Sequence, residues 1–284
     1  MDFKYKFLPS DPETSSSGND DDDDSLSLRR LLAPIRIPSR YLSLGTVMLP
    51  FGAFIFCVIH ALHSNYKATT LVFCGDGHAF NYLPSLSAAI GDFSFSKSIW
   101  IFCVTLHAPP RFLYAYMYLQ YLKTIIHKRY MFWVNLAFFL NVIENISLLG
   151  LSYISSKASL PLHALNFVMF LLSSGFYMII MCILLHRCRN IPCATALEAH
   201  SQKVKKILLY IILTAGCGLP YFYIRHNSYC EPGVYTMFAL LEYVIVLCNM
   251  AFHVTAYWDF YDVTFKLPLR KWGSSNGRRQ AYFL

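Results

Sequence analysis

Residues 163–186 read HALNFVMFLLSSGFYMIIMCILLH, a run of 24 residues without an aspartate, glutamate, lysine or arginine. A helix of about 20 apolar residues crosses the roughly 30 Å hydrocarbon core of a bilayer. Because that core offers no water to backbone N–H and C=O groups, a helix is the expected form for such a segment. Five further stretches have a similar length and character, so the sequence predicts an all-α, polytopic membrane protein that forms a six-transmembrane-helix bundle. The predicted spans are 41–63, 98–122, 131–153, 163–186, 206–225 and 233–258.

Basic residues divide unevenly between the two sets of connections. Nineteen of the 24 Lys and Arg residues lie in the N-terminal flank, loops 123–130 and 187–206, and the tail after residue 262. The connections on the other side hold only Lys67, Lys97 and Lys157. Because positive residues concentrate on the cytosolic side of a membrane, both termini are predicted to be cytosolic. The formal net charge of +8 then indicates attraction to the anionic cytosolic leaflet, and no nucleic-acid partner is predicted.

Composition divides the chain into three parts. Residues 1–40 are polar and contain the acidic run Asp20 to Asp24, and too few apolar residues to offset the entropy of ordering. We therefore expect a disordered acidic cytosolic tail over 1–40, a six-span membrane domain over 41–262 and a basic cytosolic tail over 263–284.

The cysteines test this topology. Of nine cysteines, only Cys74 and Cys230 fall in connections assigned to the non-cytosolic side. That side faces an oxidising compartment, which favours disulfides. We predict a Cys74–Cys230 disulfide that ties the long loop 64–97 to the turn between spans five and six; the alternative is two free thiols. No cysteine pair has a zinc-like arrangement, so neither a metal nor a cofactor is predicted.

Three of the predicted spans carry polar residues at helical spacing. Ionisable side chains inside a bilayer are costly and usually face the interior of a bundle or a water-filled cavity. In each of the three spans the polar residues share one helix face, so together they predict a buried polar site. The candidate catalytic residues are His107, His253, Glu144 and Glu242. The candidate substrate-binding residues are Arg111, Asn141, Asn145, Arg225, His226 and Asn249.

The chemistry of this polar set has more than one interpretation. A His–Glu pair can activate a hydroxyl for acyl transfer, with Arg111 or Arg225 on a phosphate. The same groups can hold a phosphate or a glycan without chemistry, and Glu144 can serve to neutralise Arg111 as interhelical packing. The chain shows no HxxxxD motif, nucleophile elbow or P-loop, so enzyme status stays open.

Several motifs resemble a known family. They are Asn81 to Ser85 (NYLPS), His107 to Phe112 (HAPPRF), Asn141 to Leu148 (NVIENISL) and the long stretch from Arg225 to Phe260. Over residues 40–262 the chain resembles the post-GPI attachment to proteins factor 2 family, within the wider Frag/DRAM/Sfk group of six-span proteins. It departs from the family pattern in its acidic tail and in the pair Pro109-Pro110.

The resemblance implies a role in remodelling the lipid of glycosylphosphatidylinositol (GPI) anchors after their attachment to protein. The expected activity is reacylation of lyso-GPI with a saturated acyl chain in the Golgi membrane. The expected partners are GPI-anchored proteins or their lyso-GPI lipid, a fatty acyl donor that the sequence does not define, and membrane lipids. An alternative is a non-enzymatic lipid-binding subunit that presents GPI substrate to a separate acyltransferase. A third, weaker alternative is a transporter or flippase, which also needs polar residues at mid-membrane.

Overall fold

The computed structural model describes residues 35–267, with the exception of residues 76, 92 and 194. The predicted acidic run and most of both predicted tails therefore lie outside the described residues. Residues Pro38–Val263 form one compact unit. A separate unit contains residues 35–37 and 264–267, where strand β1 (Ile35–Pro38) pairs with strand β4 (Thr264–Leu267).

The compact unit is almost entirely helical. The described residues include six long helices, three short ones, a 3-10 turn at Lys128–Tyr130 and a two-stranded hairpin of β2 (Leu71–Cys74) and β3 (Gly77–Phe80). The long helices are α1 (Ser39–Ser64), α4 (Ser94–Ile125), α5 (Met131–Tyr153), α6 (Leu160–Arg187), α7 (Ala196–Tyr229) and α8 (Val234–Val254). The short helices are α2 (Tyr66–Thr70), α3 (Leu86–Gly91) and α9 (Ala256–Asp259).

The six long helices close into a ring. From α4 to α8, consecutive helices pack against each other, so that α4 contacts α5 and the series ends with α7 against α8. Helix α1 packs against both α4 and α8 and completes the ring. Large apolar side chains on the outside are exposed, including Phe102, Tyr210 and Ile224. Because such a surface is stable only against lipid or another apolar phase, this arrangement is typical of a membrane bundle.

Within the described residues, five helical segments are both long enough and apolar enough to cross a membrane. They are Ser39–Ser64, Lys128–Tyr153, Leu160–Arg187, Ala196–Tyr229 and Val234–Asp259. The remaining long helix, α4, overlaps the second predicted span. It has 32 residues and continues through Pro109 and Pro110, but it also carries Lys97, Arg111 and Lys123. The all-α membrane fold is therefore confirmed, with five such segments where six were predicted.

One end of the bundle, hereafter the disulfide end, carries the β2–β3 hairpin. The predicted disulfide is present: Cys74 at the end of β2 is bonded to Cys230, and their Cα atoms are 5.4 Å apart. Cys230 caps α7 with a left-handed backbone conformation, φ 54°. The hairpin is therefore tied to the turn between α7 and α8.

The opposite end is held by charged side chains that pack between helices. Lys205 in α7 is 1% exposed, and its Nζ lies 2.5 Å from Oδ2 of Asp259 in α9. The same carboxylate oxygen accepts a hydrogen bond of 2.6 Å from the Tyr118 hydroxyl in α4. Lys205, counted above among the residues of a cytosolic loop, lies inside the bundle.

Candidate functional site

The main cavity of the bundle runs inward from the disulfide end. It is lined by residues of α1, α3, α4, α5, α6 and α8 and encloses about 890 Å³ of space, including the part open to the surroundings. Many of its walls are apolar, Leu148, Phe167, Phe170 and Val246 among them, and Glu242 also lines it. A cavity with mostly apolar walls and a few charged or polar side chains is of a kind that binds small molecules and lipids.

One stripe of α4 forms a wall of this cavity from end to end. Lys97, Trp100, Val104, His107 and Arg111 all line it, and they follow one another at spacings of three and four residues. Residues at these spacings share a helix face. With a rise of about 1.5 Å per residue, Arg111 lies about 21 Å deeper along the helix axis than Lys97. We call the Lys97 end the mouth and the Arg111 end the floor.

The floor is built around Glu144 of α5, which is fully buried. Its Oε1 accepts three hydrogen bonds: from Arg111 Nη2 at 2.8 Å, Asn249 Nδ2 at 2.9 Å and His253 Nε2 at 2.9 Å. The His253 ring also stacks on Tyr177, with ring centroids 5.7 Å apart. The three predicted polar faces on α4, α5 and α8 thus meet at one carboxylate.

His107 differs from the other floor residues because one of its ring nitrogens has no partner. Its Nδ1 lies 2.9 Å from the carbonyl oxygen of Thr46 in α1, to which it donates. That carbonyl would normally accept from the N–H of residue 50, but Pro50 has none. Because Nδ1 carries the proton, Nε2 holds the lone pair, and this buried atom has no hydrogen-bond partner among the described residues.

Further polar atoms at the floor are also unpaired within the described part of the chain. They are Arg111 Nε, Glu144 Oε2, Asn141 Oδ1 and Asn145 Oδ1. Asn145 donates to the Ala108 carbonyl at 3.2 Å. Asn141, Arg111 and His253 line a second, smaller cavity of about 290 Å³. Since buried polar atoms are usually paired, this concentration of unpaired ones indicates a place for water or for polar groups of a ligand.

Glu242 lies on the wall of the main cavity between mouth and floor. It is 6% exposed, and its Oε2 accepts a hydrogen bond of 2.8 Å from the backbone N–H of Leu86, the first residue of α3. Glu242 therefore fixes α3 against α8 and contributes a carboxylate to the cavity.

Three predicted binding residues, Asn145, Arg225 and His226, are not among those that line either cavity, and neither is Glu144. Arg225 makes two bonds to Glu231, at 2.8 and 3.1 Å, and its side chain is 43% exposed. These bonds hold the pKa of Glu231 below its ordinary value. His226 is buried, bonds through Nε2 to the Phe73 carbonyl at 3.2 Å and packs on Tyr235. Arg225 and His226 both support the disulfide end of the bundle.

The cavity also contains residues that sequence reasoning missed. Lys97 and His163 lie at the mouth, in the first turns of α4 and α6. The spacing from Lys97 to Arg111 is visible in the sequence, but Lys97 lies just outside the predicted span 98–122 and so counts there as a loop residue. Among the described residues no group of three His, Cys, Asp or Glu side chains is placed to hold a metal ion.

Comparison with known proteins gives a consistent set of similarities. The sequence model of the Frag1/DRAM/Sfk1/Cwh43P N-terminal domain matches residues 38–263. A Drosophila pseudoobscura pseudoobscura protein named post-GPI attachment to proteins factor 2 is 39% identical over 226 residues, which cover 80% of this chain and 87% of that protein. A Xenopus tropicalis protein named acyltransferase PGAP2 is 42% identical over 220 residues, covering 77% and 86%. A Caenorhabditis elegans post-GPI attachment to proteins factor 2 is 37% identical over 233 residues, covering 80% and 87%. No solved structure matches the chain.

Proposed function

Because this chain belongs to the Frag1/DRAM/Sfk1 family, and within it to the post-GPI attachment to proteins factor 2 group, we propose that it remodels the lipid of GPI anchors. The reaction we propose is reacylation of lyso-GPI with a saturated fatty acyl chain, in the Golgi membrane. The names of the relatives support the GPI-anchor role, and the Xenopus relative is named an acyltransferase. GPI-anchored proteins or their lyso-GPI lipid are then the substrates.

The proposed topology has six spans and cytosolic termini. Helix α4 is the sixth span, because it lies in the ring between α1 and α5 and its 32 residues extend about 48 Å. Its most deeply placed charge, Arg111, is paired with Glu144, which reduces the penalty of placing it in the membrane. The disulfide then lies in the lumen, where oxidising conditions favour it.

The main cavity is the observation that carries the proposed reaction. The apolar walls of this cavity suit an acyl chain, and a reacting hydroxyl needs a polar group with a free lone pair. His107 Nε2 provides that lone pair on the cavity wall. We assign His107 as the general base that takes the proton from the lyso-GPI hydroxyl as it attacks an acyl carbonyl.

The other floor residues act through position and charge. Arg111, held by Glu144, presents an unpaired Nε–H that can donate to the oxygen on which negative charge develops. Asn249 and His253 fix the Glu144 carboxylate from the side of α8, so His253 orients this group. Glu242, Asn141 and Asn145 are then secondary contacts for polar parts of the substrate, and Arg225 with His226 shape the luminal surface around the glycan.

A specific observation favours the alternative of a lipid-binding subunit. Glu144, Arg111, Asn249 and His253 satisfy one another around a single oxygen, as residues in a structural core do. In that case the cavity holds the lipid of the anchor, and a separate acyltransferase performs the chemistry.

An acyl-transfer assay separates these two functions. The purified chain in lipid nanodiscs would receive lyso-GPI and a deuterated stearoyl group, supplied both as phospholipid and as acyl-CoA, with product measured by mass spectrometry. We expect transfer by the wild type, loss of at least about a hundredfold in His107→Ala, and an unchanged rate in the control His63→Ala, an exposed histidine outside the cavity. Binding of lyso-GPI without any transfer would favour the subunit function.

A further inference from the structure

We propose that the mouth of the main cavity is a phosphate site for a glycerophospholipid, and that this lipid is the acyl donor. The proposal rests on the reacylation function given above and names its second substrate. The chain would then be a transacylase that moves an acyl group between two membrane lipids.

Lys97 brings a positive charge to the mouth. Within the described residues Lys97 has no carboxylate partner, in contrast to Arg111, Lys205 and Arg225, each of which is paired. His163 lies beside the same opening, and its Nδ1–H donates to the Ile154 carbonyl at 2.6 Å. Its Nε2 then holds a lone pair, which can accept a hydrogen bond from a hydroxyl group of a ligand.

Two helices also begin at the mouth, and neither is capped. The N-cap residues Phe93 of α4 and Ser159 of α6 make no side-chain hydrogen bond to the first turn. The first-turn N–H groups of a helix lack partners within it and carry partial positive charge, which favours an anion. Lys97 lies in the first turn of α4, so its side chain and the backbone of the mouth favour the same type of ligand.

The amount of charge distinguishes between possible donors. A phosphodiester headgroup carries one negative charge, which matches one lysine and two helix N-termini. A coenzyme A thioester carries several phosphate charges and a nucleotide, which need more basic residues than Lys97 supplies. The Lys97 end of the cavity lies toward the disulfide end, so a phosphate held there belongs to a lipid of the leaflet on the oxidising side. A glycerophospholipid of that leaflet meets all of these conditions.

The distances along α4 suit such a lipid. The Cα atoms of Lys97 and His107 are separated by about 15 Å along the axis. A lysine side chain is long and flexible, and the Cα–Cβ bond of His107 leans toward the N-terminus of α4, which is the mouth. Val104 lies between these two residues on the same stripe, and Phe170 lines the cavity as well, so the lipid would contact apolar walls between the mouth and the floor.

The proposed step balances without a further reactant. The lyso-GPI hydroxyl oxygen attacks the ester carbonyl of the phospholipid, and a new ester bond forms on the GPI lipid. The ester bond to the donor glycerol breaks. The hydroxyl proton passes to His107 Nε2 and then to the departing glycerol oxygen, which leaves as a lysophospholipid.

The test compares three donors in nanodiscs with lyso-GPI as the acceptor. The deuterated stearoyl chain is carried by phosphatidylcholine, by stearoyl-CoA or by distearoylglycerol, which lacks the phosphate. We expect transfer from phosphatidylcholine, with equal release of lysophosphatidylcholine, and at least about tenfold less from the other two. Lys97→Ala should lower transfer from phosphatidylcholine about tenfold through a higher KM, whereas Lys67→Ala, an exposed lysine outside the cavity, should not.

The outcomes separate this proposal from the proposed function. Transfer from stearoyl-CoA but not phosphatidylcholine would overturn the donor and keep reacylation. Equal transfer from phosphatidylcholine and distearoylglycerol would overturn the phosphate site. Native mass spectrometry provides a readout without catalysis: phosphatidylcholine retained by the wild type and lost in Lys97→Ala supports the site even if no donor reacts, and equal retention by both overturns it.

Discussion

Replacing Glu144 by glutamine tests whether the floor of the cavity is held by charge. Glutamine keeps the volume and one acceptor oxygen, so the hydrogen bonds from Asn249 and His253 can persist. What changes is the charge opposite Arg111, a side chain that is 4% exposed beside a carboxylate that is fully buried. The substitution therefore isolates the electrostatic contribution of Glu144.

The size of the effect follows from comparing two contributions. Interhelical hydrogen bonds in membrane bundles contribute about 0.6 kcal/mol each on average, so weakening a few accounts for at most about 2 kcal/mol. Leaving one partner of a buried ion pair uncompensated costs about 3–5 kcal/mol. The charge contribution dominates, and we expect Glu144→Gln to lower the free energy of unfolding by about 3–5 kcal/mol.

A double-mutant cycle with Arg111→Met measures the coupling. Unfolding of each variant would be followed by circular dichroism in mixed micelles as the fraction of denaturing detergent rises. The double variant restores neutrality, so we expect it to be at least about 1 kcal/mol more stable than the sum of the single effects predicts. Additivity within about 0.5 kcal/mol would refute the reasoning. Glu231→Gln, which alters an exposed pair, serves as the control.

Three further predictions concern the scaffold around the site. A Cβ atom on Gly150 would clash with Asn166 Oδ1. Gly150→Ala should therefore destabilise the contact between α5 and α6 by roughly 1 kcal/mol. Adding Asn166→Ala should relieve that loss in the same detergent-unfolding assay. Cys74→Ala and Cys230→Ala should each lower the free energy of unfolding by about 2–5 kcal/mol, and the double variant should lose no more than either single variant. In thermal melts, reductant should lower the melting temperature of the wild type only. The pKa of Glu231 is lowered by its hydrogen bond from Arg225. The contribution of this ion pair to stability is therefore complete above the ordinary carboxyl pKa, and it is lost as the pH falls through the lowered pKa of Glu231. The melting temperatures of wild type and Glu231→Gln should therefore differ most above about pH 5 and converge as the pH falls through the lowered pKa; a difference that grows on acidification would contradict this sign.

The helices and part of the site could be predicted from the sequence because they depend on local pattern. Apolar runs of membrane length mark the helices directly, and helical spacing places Glu144 with its neighbours on one face. Five of the spans follow from composition alone, while α4 is marginal because His107, Arg111 and the proline pair lower the hydropathy of its middle section. The disulfide could be predicted from the topology, since only Cys74 and Cys230 fall in connections assigned to the non-cytosolic side.

What the sequence does not contain is the rotation of each helix about its axis. Asn249 and His253 are more than 100 residues away from Glu144 in the sequence, and they form hydrogen bonds with it because the packing of the helices brings them together. The same limit placed Arg225 in the predicted site, whereas in the fold it pairs with Glu231. Lys205 looked like a loop charge because its partner Asp259 is 54 residues away.

The central claim is that the main cavity holds the lipid of the GPI anchor. Lyso-GPI with a photoreactive diazirine on its remaining chain would be cross-linked to the protein in nanodiscs and the labelled positions mapped by tandem mass spectrometry. We predict labels on Val104 and Phe170, which line the cavity, and loss of those labels in Val104→Trp, which fills it. Labels concentrated instead on Phe102 and Leu106, which are 66% and 52% exposed on the outer face of the same helix, with no change in Val104→Trp, would contradict the account.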